Sequence, residues 1–140
     1  MTHKSSKVAA LVSGLEGRSH DARYLGYFEC FNQGLFYESH DVLEDLWLEG
    51  RHGPKDGFYK GLIQFAGAFV HLQKGRLRPS AALFRLSRSY LGRYSETFED
   101  LDVKAVLGFG LAWEAWIESH GYERNPLGEL TLPRLTLIGS

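Results

Sequence analysis

Apolar residues along this chain recur at helical spacing, and glycine and proline cut the pattern into helix-length pieces. Tyr24, Leu25, Phe28 and Phe31 share one face of a helix that Ser19 would cap near His20 and Gly34 would end. A second helix is expected from about Phe36 to Leu48, before the glycine- and proline-rich loop at 50–57. The third runs from about Phe58 to Lys74 and stops at Gly75, and the fourth carries Pro79 in its first turn and reaches about Tyr94. Asp102 is placed to cap a fifth, from Val103 to about His120. Gly108 and Gly110 lie inside that helix at a cost of about 1 kcal/mol each relative to alanine, and would let another helix approach closely. Residues up to Gly17 are a weakly patterned arm, and 125–138, with two prolines and alternating leucines, read as an extended segment laid across the bundle. No strand pairing and no fixed-period repeat is evident. The expectation is all-α, a compact bundle of about five helices with an extended C-terminal tail, divided into an arm over 1–18, a helical domain over 19–122 and a tail over 123–140.

Composition narrows the options. At 140 residues, 44% hydrophobic and 14% aromatic, the chain can bury a core without metal or disulfide staples, and disorder is excluded. Sixteen basic against seventeen acidic residues argue against a general nucleic-acid or anionic-membrane binder. The one cysteine, Cys30, reads as a small buried apolar residue. The apolar run from Val8 to Val12 is too short for a signal or spanning segment, so a cytoplasmic location is expected. Six basic residues from Lys74 to Arg93 face four acids between Tyr94 and Asp102, a solvated block neutralised across a turn.

Ionisable groups occupy positions on the second and third helices where a core helix would place aliphatics. Tyr37, His40, Glu44 and Trp47 form one stripe, and Lys60, Gln64 and His71 another, with Gly67 and Ala68 leaving room. With the two helices as neighbours, His40, Glu44, Gln64 and His71 converge in one pocket, with Glu38 and Lys60 at its edge. Two imidazoles and a carboxylate are ligand types for a divalent metal, so His40, Glu44 and His71 are candidate metal ligands. Without metal, His40 and Glu44 can serve as base and orienter, and Lys60 can bind an anion. The same groups can instead satisfy one another in a structural network that fixes helix register. That alternative makes the protein a non-catalytic helical interaction module, binding a partner or a second copy through aromatic grooves or its leucine-rich tail. His3, His20, His52 and His120 are expected in solvent, as are Glu114 and Glu118, while Trp113 and Trp116 read as core or groove aromatics.

Phe31-Asn32-x-Gly34-x-x-Tyr37-Glu38-x-His40-x-x-Leu43-Glu44-x-Leu46-Trp47, followed by Tyr59-Lys60-Gly61-Leu62-Ile63-Gln64 and His71, resembles the family called domain of unknown function 309. The resemblance spans roughly Tyr24 to Tyr94 and includes Ala81-Ala-Leu-Phe-Arg. It implies a small all-helical fold with a focal site at Asn32, Gly34, Glu38, His40, Glu44, Trp47, Gly61, Gln64 and His71, and implies no particular reaction. Ser39-His40-Asp41 departs from the family's usual Ala-His-Glu, with Asp41 expected on the surface.

Overall fold

Six helices and one two-residue hairpin make up the fold seen in the computed structural model, which describes residues 6–139. His3 lies outside the described residues. The elements are α1 (Ser6–Ser13), α2 (Ala22–Asn32), α3 (Phe36–Glu49), α4 (Asp56–Gln73), α5 (Leu77–Leu91), β1 (Thr97–Phe98), β2 (Leu101–Asp102) and α6 (Val103–Ser119). Each helix packs on the next in sequence, and α4 lies between α3 and α5.

Local chemistry sets the boundaries. Gly34 and Gly75 sit just past α2 and α4 with φ of 77° and 71°, the left-handed conformation that glycine adopts without steric cost. At both, the next two amides turn back onto the last helical turn: Gly34 N to Phe31 O and Leu35 N to Cys30 O, Gly75 N to Leu72 O and Arg76 N to His71 O. Asp102 caps α6 as expected, its carboxylate accepting from Ala105 N at 3.0 Å. The cap of α2 is Asp21 and not Ser19: its carboxylate accepts from Arg23 N at 2.9 Å, and the helix starts two residues later than expected.

The core is built from rings. Phe69 is fully buried and meets Phe31, Phe36, Phe65, Phe84 and Trp113 at centroid distances of 4.9–5.4 Å, mostly edge to face. Two carbonyls of α4 accept bonds from its neighbours: Tyr27 Oη donates to Leu62 O at 2.6 Å and Ser87 Oγ to Gly61 O at 2.7 Å. A Cβ on Gly61 would stand 2.7 Å from Leu91 Cγ, so glycine is what lets α5 lie this close.

Two elements were not expected. The arm contains α1, whose Val8 is 1% exposed in a small cluster with Cys30 and Val42. The six-residue span 97–102 closes on Glu99 and Asp100, both at positive φ, pairing Thr97 with Asp102 and Phe98 with Leu101. The C-terminal residues run past this hairpin: Leu101 bridges Leu137, Ile138 N donates to Asp100 O, and Asn32 bonds both the carbonyl (2.7 Å) and the amide (2.8 Å) of Leu135.

Several surface expectations are corrected. Asp41 is 3% exposed and faces inward. Glu114, 5% exposed, receives Arg85 at 2.8 Å and Arg88 at 2.5 Å, while Arg85 also reaches Glu118 at 3.1 Å. The basic block is therefore neutralised in part by α6. The acids at 96–102 pair elsewhere: Glu99 with Lys55, Asp100 with His20 and Glu96 with Lys104. His20 Nε2 thus lies within hydrogen-bond distance, 2.9 Å, of Asp100 Oδ2, and His120 closes α6 with Nδ1 2.8 Å from Trp116 O.

Candidate functional site

A groove with a cavity of about 310 Å³ opens between α3, α4 and α5. His40 and Tyr37 reach it from α3, Leu83 from α5, and Ile63, Gln64, Gly67, Val70, His71 and Lys74 from α4 and its end. The spacing explains the convergence: 64, 67, 71 and 74 follow steps of three and four along α4, and 37 and 40 a step of three on α3. Gly67 keeps the floor low, because a Cβ there would already press on Leu83 Cδ1 at 3.2 Å. Ala68, expected beside it, is fully buried in the core instead.

Three polar groups bring unspent bonding capacity to this groove. His40 Nδ1, Gln64 Oε1 and His71 Nδ1 are covered by their surroundings, yet none has a hydrogen-bond partner among the described residues. Buried polar atoms are paired in the great majority of cases, so three in one groove is an unusual concentration. A neutral imidazole carries one donor and one acceptor, a side-chain amide carries both, and ring or amide flips exchange their positions, so each group can offer a guest a donor or an acceptor. Ile63, Val70 and Leu83 give the cavity an apolar wall, with Tyr37 and Lys74 completing the lining.

Charge around the groove is uneven. Burial holds the His71 imidazole below its ordinary value, and the positive charges of Arg76 and Lys74 lower it further. His71 is therefore neutral at pH 7 beside a cationic rim. The carboxylate of Glu44 lies beside the His40 imidazole, its Oε2 3.8 Å from Nε2, too long for a hydrogen bond.

The expected residues thus separate. His40, Gln64 and His71 do share one space, with Glu44 touching it through His40. Glu38 does not belong to it: two residues from His40 along a helix is 200° of rotation, and Glu38 acts on the Cys30 thiol, which burial first and then the charges of Glu38 and Glu29 push up to about 11. Lys60 lies a turn away, its ammonium 5.8 Å from the Trp47 ring and 5.1 Å from the Tyr90 ring. The three-ligand metal set of His40, Glu44 and His71 is not formed, since among the described residues no three of His, Cys, Asp and Glu come together in a way that could hold a metal ion. Lys74 and Leu83 were not foreseen as groove residues; Lys74 continues the 64, 67, 71 series, and that register was the available signal.

No helix among the described residues is long and apolar enough to cross a membrane. Residues 24–83 match the family model described as Domain of unknown function (DUF309), a span that contains all nine residues lining the groove. No curated protein and no solved structure matches the chain.

Proposed function

We propose, for a chain whose residues 24–83 belong to the DUF309 family, that the groove between α3, α4 and α5 binds a small, partly apolar molecule. The observation that carries this reading is the coincidence of a cavity with His40, Gln64 and His71, each holding a covered polar atom without a hydrogen-bond partner among the described residues. Ile63, Val70 and Leu83 receive the apolar body, and the amide and the neutral imidazole orient it, the usual division of labour in a small-molecule site. A cavity of about 310 Å³ suits a molecule at the small end of the range for such sites. No reaction is assigned: the imidazole–carboxylate pair at the groove, His40 with Glu44, is separated by 3.8 Å, too far for the hydrogen bond that would couple a base to its orienter.

The alternative, a helical interaction module with a structural polar cluster, requires the cluster to be bonded within itself. Among the described residues, Gln64 Oε1 and His71 Nδ1 lack the bonds that this reading needs. The test is a fragment library of small aromatic amides and alcohols, followed by proton–nitrogen correlation spectra of the full chain. Saturable shifts centred on the Gln64 side-chain amide and the His40 and His71 rings, lost in Gln64→Leu, support the groove as a binding site. Fragments that bind only elsewhere, or none that bind, overturn it.

A further inference from the structure

Beyond the groove's walls, five side chains form a ladder at the end of α3, the start of α4 and the end of α5. The Arg51 guanidinium lies 5.2 Å from the centre of the Trp47 ring. The Lys60 ammonium lies between Trp47 (5.8 Å) and Tyr90 (5.1 Å), and the Arg93 guanidinium is 4.6 Å from Tyr90. Six other basic residues, Arg23, Lys55, Arg85, Arg88, Lys104 and Arg124, each hold a carboxylate. None of the three ladder cations does so among the described residues, and Lys60 does not close the i, i+4 pair open to it with Asp56. The rings attract the three charges through their faces but neutralise none of them. Trp47 adds an indole Nε1 that is covered and has no hydrogen-bond partner among the described residues.

We propose that this ladder binds the phosphoryl group of a small phosphomonoester, a deepening that rests on the groove being a ligand site. Three cations without a carboxylate, set on two rings that share Lys60, match a dianion, and two guanidinium forks suit phosphate oxygens. Lys60 stands one helical turn from Gln64, so a ligand whose phosphoryl group meets the ladder can extend its body into the groove. Tyr90 and Arg93 lie beyond the segment 24–83, so this end of the site is assembled partly from outside the family match.

The experiment titrates the full chain at constant ionic strength with inorganic phosphate, phenyl phosphate and dimethyl phosphate. The readout is the Trp47 indole N–H resonance, assigned with Trp47→Phe. Phosphate and phenyl phosphate should shift that resonance saturably, with dimethyl phosphate at least about tenfold weaker, as expected when one charge-assisted bond is lost. The double variant Arg51→Gln/Arg93→Gln, whose side chains are exposed, should keep its melting temperature and weaken phenyl phosphate by about tenfold or more. Equal binding of dimethyl phosphate, unchanged affinity in the double variant, or no saturable shift at Trp47 would overturn the proposal. The groove reading is scored on different resonances, those of Gln64, His40 and His71, so a failure of the ladder is told apart from a failure of the groove.

Discussion

Replacing Gln64 by leucine asks directly whether the polar groups of the groove serve the fold or a guest. Gln64 is half-buried on α4 and its Oε1 has no partner among the described residues. A buried polar atom left without a bond costs about 1–3 kcal/mol, and partial exposure puts this one near the lower end. Leucine and glutamine have almost the same helix propensity, so α4 itself is indifferent to the change. The leucine side chain would cover roughly 30 Å² more apolar area against Ile63 and its neighbours, adding about 0.8 kcal/mol at about 25 cal/mol per Å². The sum is a gain of about 1–2 kcal/mol, which for a domain of this size raises the melting temperature by about 3–7 °C. Thermal unfolding followed by far-ultraviolet circular dichroism measures this, with a urea midpoint that rises at unchanged slope as the check. A fall of more than about 2 °C would refute the reasoning, because it would mean the amide is bonded inside the protein and the cluster is structural.

The remaining expectations concern the frame and the titration of the site. Gly61→Ala should cost about 1–2 kcal/mol, because overpacking against Leu91 outweighs the helix-propensity gain, and chemical denaturation reads it. Glu114→Ala should cost about 2 kcal/mol, less than the roughly 3–5 kcal/mol of a fully buried pair since Arg85 can rehydrate, and Glu114→Gln should lose less in the same assay. Stability should fall as pH drops below about 6.5: above that value His71 is neutral in both states, and below it the unfolded chain takes up a proton that the folded imidazole, held low by burial and by Arg76 and Lys74, resists. Melting temperatures at about pH 7.5 and about pH 5.5 should therefore differ less in His71→Gln than in the parent chain, and an equal difference would contradict the cause given for His71.

Much of the fold was legible because its signals are local. The apolar periods of α3 and α4, the glycines after α2 and α4, and the Asp102 cap each act within one or two turns. Asp21 outcompeted Ser19 as a cap because Arg23 both donates to its carboxylate and links it to Glu49, a long-range gain that the local sequence does not display. The hairpin at 97–102 escaped notice because two-residue strands carry no alternation and its turn uses Glu99 and Asp100 where glycine or asparagine would have announced it. Its two acids are held there by partners far along the chain: His20 and Lys55 pair with their side chains, and Tyr24 donates to the Glu99 carbonyl. Glu114 looked like one half of an exposed i, i+4 pair, and only the approach of α5 turned it into a buried anion between two arginines.

Within the site, helical arithmetic was enough to bring His40, Gln64 and His71 to one groove. The same arithmetic, carried two residues back from His40, would have sent Glu38 to the other side of α3. The metal set failed for a different reason. Residue types and spacing place ligand atoms on a shared face, but the depth of the groove and the 3.8 Å gap between His40 and Glu44 depend on how α3 and α4 pack, which pattern alone does not fix.

The most direct test of the central claim is where small molecules bind on the intact chain. Fragments mapped by proton–nitrogen correlation spectra should converge on Gln64, His40 and His71, and should lose that binding in Gln64→Leu while the variant melts higher than its parent. Fragments that leave those three residues unmoved, or a variant that binds them as well as the parent does, would contradict it.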